Sequence, residues 1–130
     1  MKETIKYSKK LLEITPIFIY KINLDKINET PGVYLIYNGN NKIIYVGETK
    51  NLNRRIKGDI SRGKKRYHSL LSILAKKYNL KDENEVKKFV LKKLKISFIE
   101  VNNTNMCKLI EAFLITYLRK NKILLLNKIK

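Results

Sequence analysis

Four side chains in this sequence have the types and spacing for chemistry on an anion: Tyr34, Tyr45, Arg55 and Glu111. Tyr34 and Tyr45 flank an Asn38-Gly39 turn signal, so they sit on paired strands of one hairpin. Cross-strand neighbours approach to about 5 Å at Cβ, so two phenols can converge on one face. Arg55 follows on a segment whose Leu52, Ile56 and Ile60 lie four apart, the spacing of one helical face. On that wheel Arg54 points away into solvent, while Arg55 falls at the border of the apolar face, where a guanidinium can grip a phosphate with two parallel bonds. Glu111 is the single carboxylate between Thr104 and Lys120, at the edge of a broad apolar stripe. An oxygen-preferring cation such as Mg²⁺ is an apt partner for it. Each of these has a plainer reading: tyrosines that fill a core, a surface arginine, and a glutamate paired with Lys108 or Arg119.

Positioning these groups takes a small set of elements. Residues 1–15 read as a basic lead-in or helix, and Ile17 to Ile22 as a short strand. Asn28 to Gly32 is turn chemistry. Val33 to Tyr37 and Lys42 to Val46 form the hairpin, and Lys50 to Ile60 the helix of the arginine pair. Tyr67 to Tyr78 and Asp82 to Leu94 read as two further helices, the second capped by Asp82. Ile96 to Val101 is a third core strand, Thr104 to Lys120 a long helix, and the chain then runs through an apolar stretch closed by Asn127. The expected architecture is an α/β (α+β) sandwich, with a three-stranded antiparallel sheet flanked by helices, in one domain with a lead-in over 1–30 and a core over 31–127.

The charge balance names the kind of partner. Against 29 Lys and Arg stand 11 Asp and Glu, a formal net charge of +18 on 130 residues. Such an excess opposes compaction and is usually matched by an anion, nucleic acid first and an anionic membrane surface second. A bias toward Lys, Asn and Ile in the composition is the plainer account. The single cysteine, Cys107, excludes a disulfide framework and a cysteine-based zinc site within one chain. No apolar run approaches the roughly 20 residues that span a bilayer, and no signal peptide is legible at the start. A cytoplasmic protein without a membrane role, monomer or homodimer, is the expectation.

Two triplets tie these residues together. Gly32-Val33-Tyr34 is followed by Tyr45-Val46-Gly47, then by Arg55, then by Glu111 in LIEAFLI and Asn127 in LLLNK. Over residues 31–127 this series resembles the GIY-YIG nuclease superfamily. The resemblance implies an endonuclease that hydrolyses phosphodiester bonds in nucleic acid, DNA in the first instance, with one Mg²⁺ or Mn²⁺ held by Glu111. It implies Arg55 on the phosphoryl oxygens, and Tyr34 (with Tyr45 next) as the group that takes a proton from water. His68, the sole histidine, matches in spacing a histidine that some members carry. Others carry one four residues past the arginine, where Asp59 stands here, within i,i+4 reach of Arg55. Glu48 also differs from members with a basic residue after the second triplet; it is either a neighbour of the site or an exposed turn residue. Gly32 and Gly47 are expected to shape the backbone, Gly47 at a sharp turn that a ligand can approach, and Asn127 to fix the geometry by hydrogen bonds. Lys50, Lys64, Lys65 and Arg66 are candidates for phosphate-backbone contacts. The competing reading is a non-catalytic nucleic-acid-binding module on the same fold.

Overall fold

The computed structural model describes residues 1–65 and 68–127. The hairpin forms as its sequence dictates. β2 (Gly32–Tyr37) and β3 (Ile43–Thr49) pair antiparallel, and Asn38 organises the turn by accepting the backbone N–H groups of Asn40 and Lys42. The other edge of β2 pairs with β4 (Lys95–Glu100), also antiparallel. A fourth strand, β1 (Ile17–Phe18), adds to β4, so the sheet order is β1-β4-β2-β3 and the sheet has one strand more than the three-stranded core expected. The extra strand is only two residues long because Ile19–Lys21 tightens into a 3₁₀ turn, in which Ile19 turns its side chain into the core.

Alternation along β2 fills two cores at once, which is why all six of its residues are buried. Tyr34 and Ile36 face one side. They meet Leu52, Ile56 and Ile60, Leu70, Leu71 and Leu74 of α2 (Ser69–Lys77), and Val86 and Val90 of α3 (Glu83–Lys93). Val33, Leu35 and Tyr37 face the other side. They meet Leu11 of α1 (Lys2–Glu13) and Cys107, Ile110, Leu114 and Leu118 of α4 (Thr104–Lys120). The result is a sheet between two helical layers.

Helix boundaries follow their caps. Asp82 accepts from the backbone N–H of Glu85, and Asn103 from that of Met106. The start of α2 lies later than the periodicity suggests, because His68 is its N-cap. The segment carrying the arginine pair is wound wider than an α-helix. Arg54–Ile60 is a π-helix in which Ser61 N–H reaches back to Ile56 C=O. At more than four residues per turn, Leu52, Ile56 and Ile60 still stack on one side, and all three are fully buried. The apolar C-terminal run is not a strand: it is extended only enough for Leu126 N–H to reach Ile44 C=O. Among the described residues, no helix is long and apolar enough to cross a membrane.

Candidate active site

Tyr34, Tyr45, Gly47, Glu48, Arg55, His68, Ser69 and Glu111 line one cleft of about 170 Å³. They come from β2, β3, the π-helix, the start of α2 and the middle of α4, so only the tertiary fold assembles them. The sheet register sets the tyrosines. Tyr34 lies opposite Gly47, and Tyr45 opposite Ile36, so the two phenols are diagonal neighbours, with ring centroids 6.4 Å apart. That register also corrects the expectation for Gly47. It lies inside β3, not at a turn, and the ring of Tyr34 lies where its Cβ would be. Gly32 is similar: a Cβ there would run into the side chain of Leu52 and the carbonyl of Ile99.

Tyr34 is 2% exposed, and its hydroxyl stands 2.7 Å from Nε2 of His68. Burial pushes its phenol well above the usual value near 10; Tyr45, Glu111 and Glu48 push the same way, and the Arg55 guanidinium opposes them. Tyr45 is half-buried, and its hydroxyl is 3.4 Å from that of Ser69. Burial raises its phenol too, with the Ser69 contact working against that shift, Glu111 adding to it and Arg55 opposing it. His68 is buried beside Arg55, and both facts disfavour the imidazolium, lowering its pKa from 6.5 to about 3. The ring is therefore neutral across the physiological range.

Arg55 enters the cleft with 26% of its side chain exposed, and its NH1 is 3.4 Å from an oxygen of Asp59 one turn on. Arg54 is exposed, as the helical wheel requires. Glu111 lies one turn beyond the buried Cys107 on α4. Glu48 pairs with Val33 in the register and so faces the same helical layer. Its charge helps burial raise the Cys107 thiol to about 11, which makes that thiol a poor nucleophile. Arg119, one of the alternative partners for Glu111, donates instead to the backbone carbonyl of Asn127 at 2.7 Å. Asn127 clasps the free edge of β3 as a strand would: its amide oxygen accepts from Val46 N–H at 3.0 Å, and its amide nitrogen donates to Val46 C=O at 2.7 Å. That fixes the backbone between Tyr45 and Gly47.

Of the basic residues picked from sequence for phosphate-backbone contacts, Lys50, Lys64 and Lys65 do not line this cleft. Lys50 and Lys65 are exposed, Lys64 lines a separate groove with Arg62 and Lys87, and Arg66 lies outside the described residues. Sequence reasoning missed Ser69, whose only signal was its place beside His68 at a helix start. Carboxylate and phenol oxygens are donors for a hard divalent cation, so the donor set fits Mg²⁺ or Mn²⁺. Among the described residues no group of three His, Cys, Asp or Glu could hold a metal by itself.

The family model described as the GIY-YIG catalytic domain matches residues 30–123. A stretch of 33 residues is 54% identical to UvrABC system protein C of Hydrogenovibrio crunogenus, covering 25% of this chain and 5% of that protein. The chain thus spans a small fraction of that relative's length.

Proposed function

The chain belongs to the GIY-YIG nuclease family, and from that premise we propose that it is a divalent-metal-dependent endonuclease that hydrolyses phosphodiester bonds in DNA. The observation that carries the reading is the convergence of Tyr34, Tyr45, Arg55 and Glu111 on one cleft about large enough for a single phosphate group.

Hydrolysis needs an activated water, neutralisation of charge building on the phosphoryl oxygens, and help for the departing 3′ oxygen. Tyr34, once its own proton has passed to solvent, would accept the proton of the water at its Oη; burial opposes that ionisation and the Arg55 guanidinium favours it. Arg55 binds the phosphoryl oxygens and binds them more tightly as charge develops, with Asp59 holding its guanidinium in place. Glu111 would hold the cation, with Glu48 at the same cleft adding negative potential. When bound, the cation supplies Lewis-acid stabilisation of the phosphoryl and leaving oxygens. Asn127 keeps the β3 edge, and with it Tyr45, in register. The net charge of +18 provides the long-range attraction that brings a polyanion to this small cleft.

The test is nicking of supercoiled plasmid, and cleavage of defined flaps, junctions and duplexes, with Mg²⁺ or Mn²⁺. Glu111→Gln keeps the size of the side chain and removes its charge. Cleavage should vanish while melting temperature and DNA affinity are retained. A folded Glu111→Gln protein that nicks at the wild-type rate removes Glu111 from the site and the single-metal mechanism with it. Retention of DNA affinity with no cleavage of any substrate by the wild type would leave a binding module instead.

A further inference from the structure

Helix α2 enters the cleft with two consecutive side chains, His68 and Ser69, and the first of them has its hydrogen bonds fixed on both ring nitrogens. As the N-cap of α2, His68 accepts the backbone N–H of Leu70 at Nδ1, at 3.2 Å. A nitrogen that accepts from an N–H carries a lone pair and no proton. The neutral ring must then carry its hydrogen on Nε2. Nε2 lies 2.7 Å from the Tyr34 hydroxyl, so the imidazole is the donor in that bond and the phenol oxygen the acceptor. The opposite direction, with Tyr34 donating its proton to His68, needs a hydrogen on Nδ1, which would face the Leu70 N–H. The doubly protonated ring fails for the same reason.

We propose that His68 is a positioning residue: the helix cap locks it as the Nε2–H tautomer, and it donates to Tyr34 so that the remaining hydrogen or lone pair of the phenol oxygen is turned toward the cleft. This rests on the reading of Tyr34 as the residue that meets the attacking water. It assigns His68 no proton of the reaction, and it makes the first turn of α2 part of the catalytic frame. The Nε2–H bond also stabilises a Tyr34 phenolate, which burial otherwise disfavours. Ser69, the next residue, stands beside the second tyrosine, its hydroxyl 3.4 Å from that of Tyr45.

The first readout is spectroscopic and needs no activity. His68 is the single histidine of the chain, so ¹⁵N-histidine labelling of the full chain gives one ring to observe. Long-range ¹H–¹⁵N correlation at pH 7 should show a protonated Nε2 and an unprotonated Nδ1. A proton on Nδ1, or on both nitrogens, overturns the proposal. The second readout is kinetic. His68→Asn keeps a strong N-cap acceptor but is too short to reach Tyr34, while His68→Gln can place an amide N–H where Nε2 stands. Single-turnover nicking by His68→Asn should fall by about 10–100-fold, with DNA affinity and melting close to wild type, and His68→Gln should recover part of the loss. Loss that merely follows the folded fraction, with no advantage of Gln over Asn, overturns the positioning role. A wild-type chain that nicks nothing would sink the nuclease reading, and the spectrum would still decide the direction of the His68–Tyr34 bond.

Discussion

Acidification from pH 7 to pH 5 should remove about 2 kcal/mol of folding stability through His68 alone. The unfolded ring titrates at its ordinary value of 6.5, while the folded ring, buried and beside Arg55, titrates at about 3. Between those values the unfolded chain binds a proton that the folded chain refuses. Stability therefore rises with pH through this window and is lost as pH falls. At pH 5 the unfolded ring is roughly 30-fold more charged than neutral, and RT ln 30 is about 2 kcal/mol. A folded pKa anywhere below about 4 gives nearly the same figure, because at pH 5 the folded ring is then already neutral. Urea denaturation at pH 7 and pH 5 measures the difference for the wild type and for His68→Asn, whose side chain does not titrate. The variant keeps the helix cap, so the wild-type slope minus the variant slope isolates the imidazole. Equal losses in the two proteins would show that His68 is solvated and charged at pH 5. The hydrogen-bond frame around Tyr34 would then be wrong.

Arg55→Ala should lower the cleavage rate by about a hundredfold or more, whereas Arg54→Ala, on the solvent side, should weaken DNA binding only slightly; equal effects would refute the orientation of the π-helix. Gly47→Ala forces a methyl group into the ring of Tyr34 and should cost about 1–3 kcal/mol in urea denaturation together with loss of nicking. Unchanged stability would mean that the ring has room to move aside. DNA affinity should fall steeply with salt, with a log–log slope of roughly −4 to −7 if about 5–8 phosphates are neutralised; titration of a labelled duplex over a range of salt concentrations measures it, and a flat dependence would defeat the electrostatic account.

Local signals were legible wherever one short stretch carried the whole cause. The Asn38-Gly39 turn and its flanking β-rich runs predict the hairpin, and Asp82 predicts the start of α3, because caps and turns are satisfied by neighbours in sequence. The four-residue spacing of Leu52, Ile56 and Ile60 predicts the buried face, but not its π winding, since wider and tighter helices present that spacing almost alike. The two-residue β1 was legible only as a strand of greater length, because its end is set by Ile19 dropping into a core built by other elements.

The amino-acid sequence by itself determined the order of the site residues, the hairpin that carries the two tyrosines, the side of the helix on which Arg55 sits, and the excess of positive charge. Each of these depends on residue identity and short-range spacing. The tertiary structure alone decided which groups meet. It set Tyr34 against Gly47 rather than against Tyr45, put Glu48 on the same helical layer as Glu111, brought Ser69 to Tyr45, and turned Arg119 toward Asn127. It also decided what His68 can do. The imidazole is a neutral donor because one of its nitrogens caps a helix while the other meets a phenol 34 residues away, and burial removes the water that would let it charge. Register, burial and hydrogen-bond direction are properties of contacts between distant segments, and no spacing along the chain encodes them.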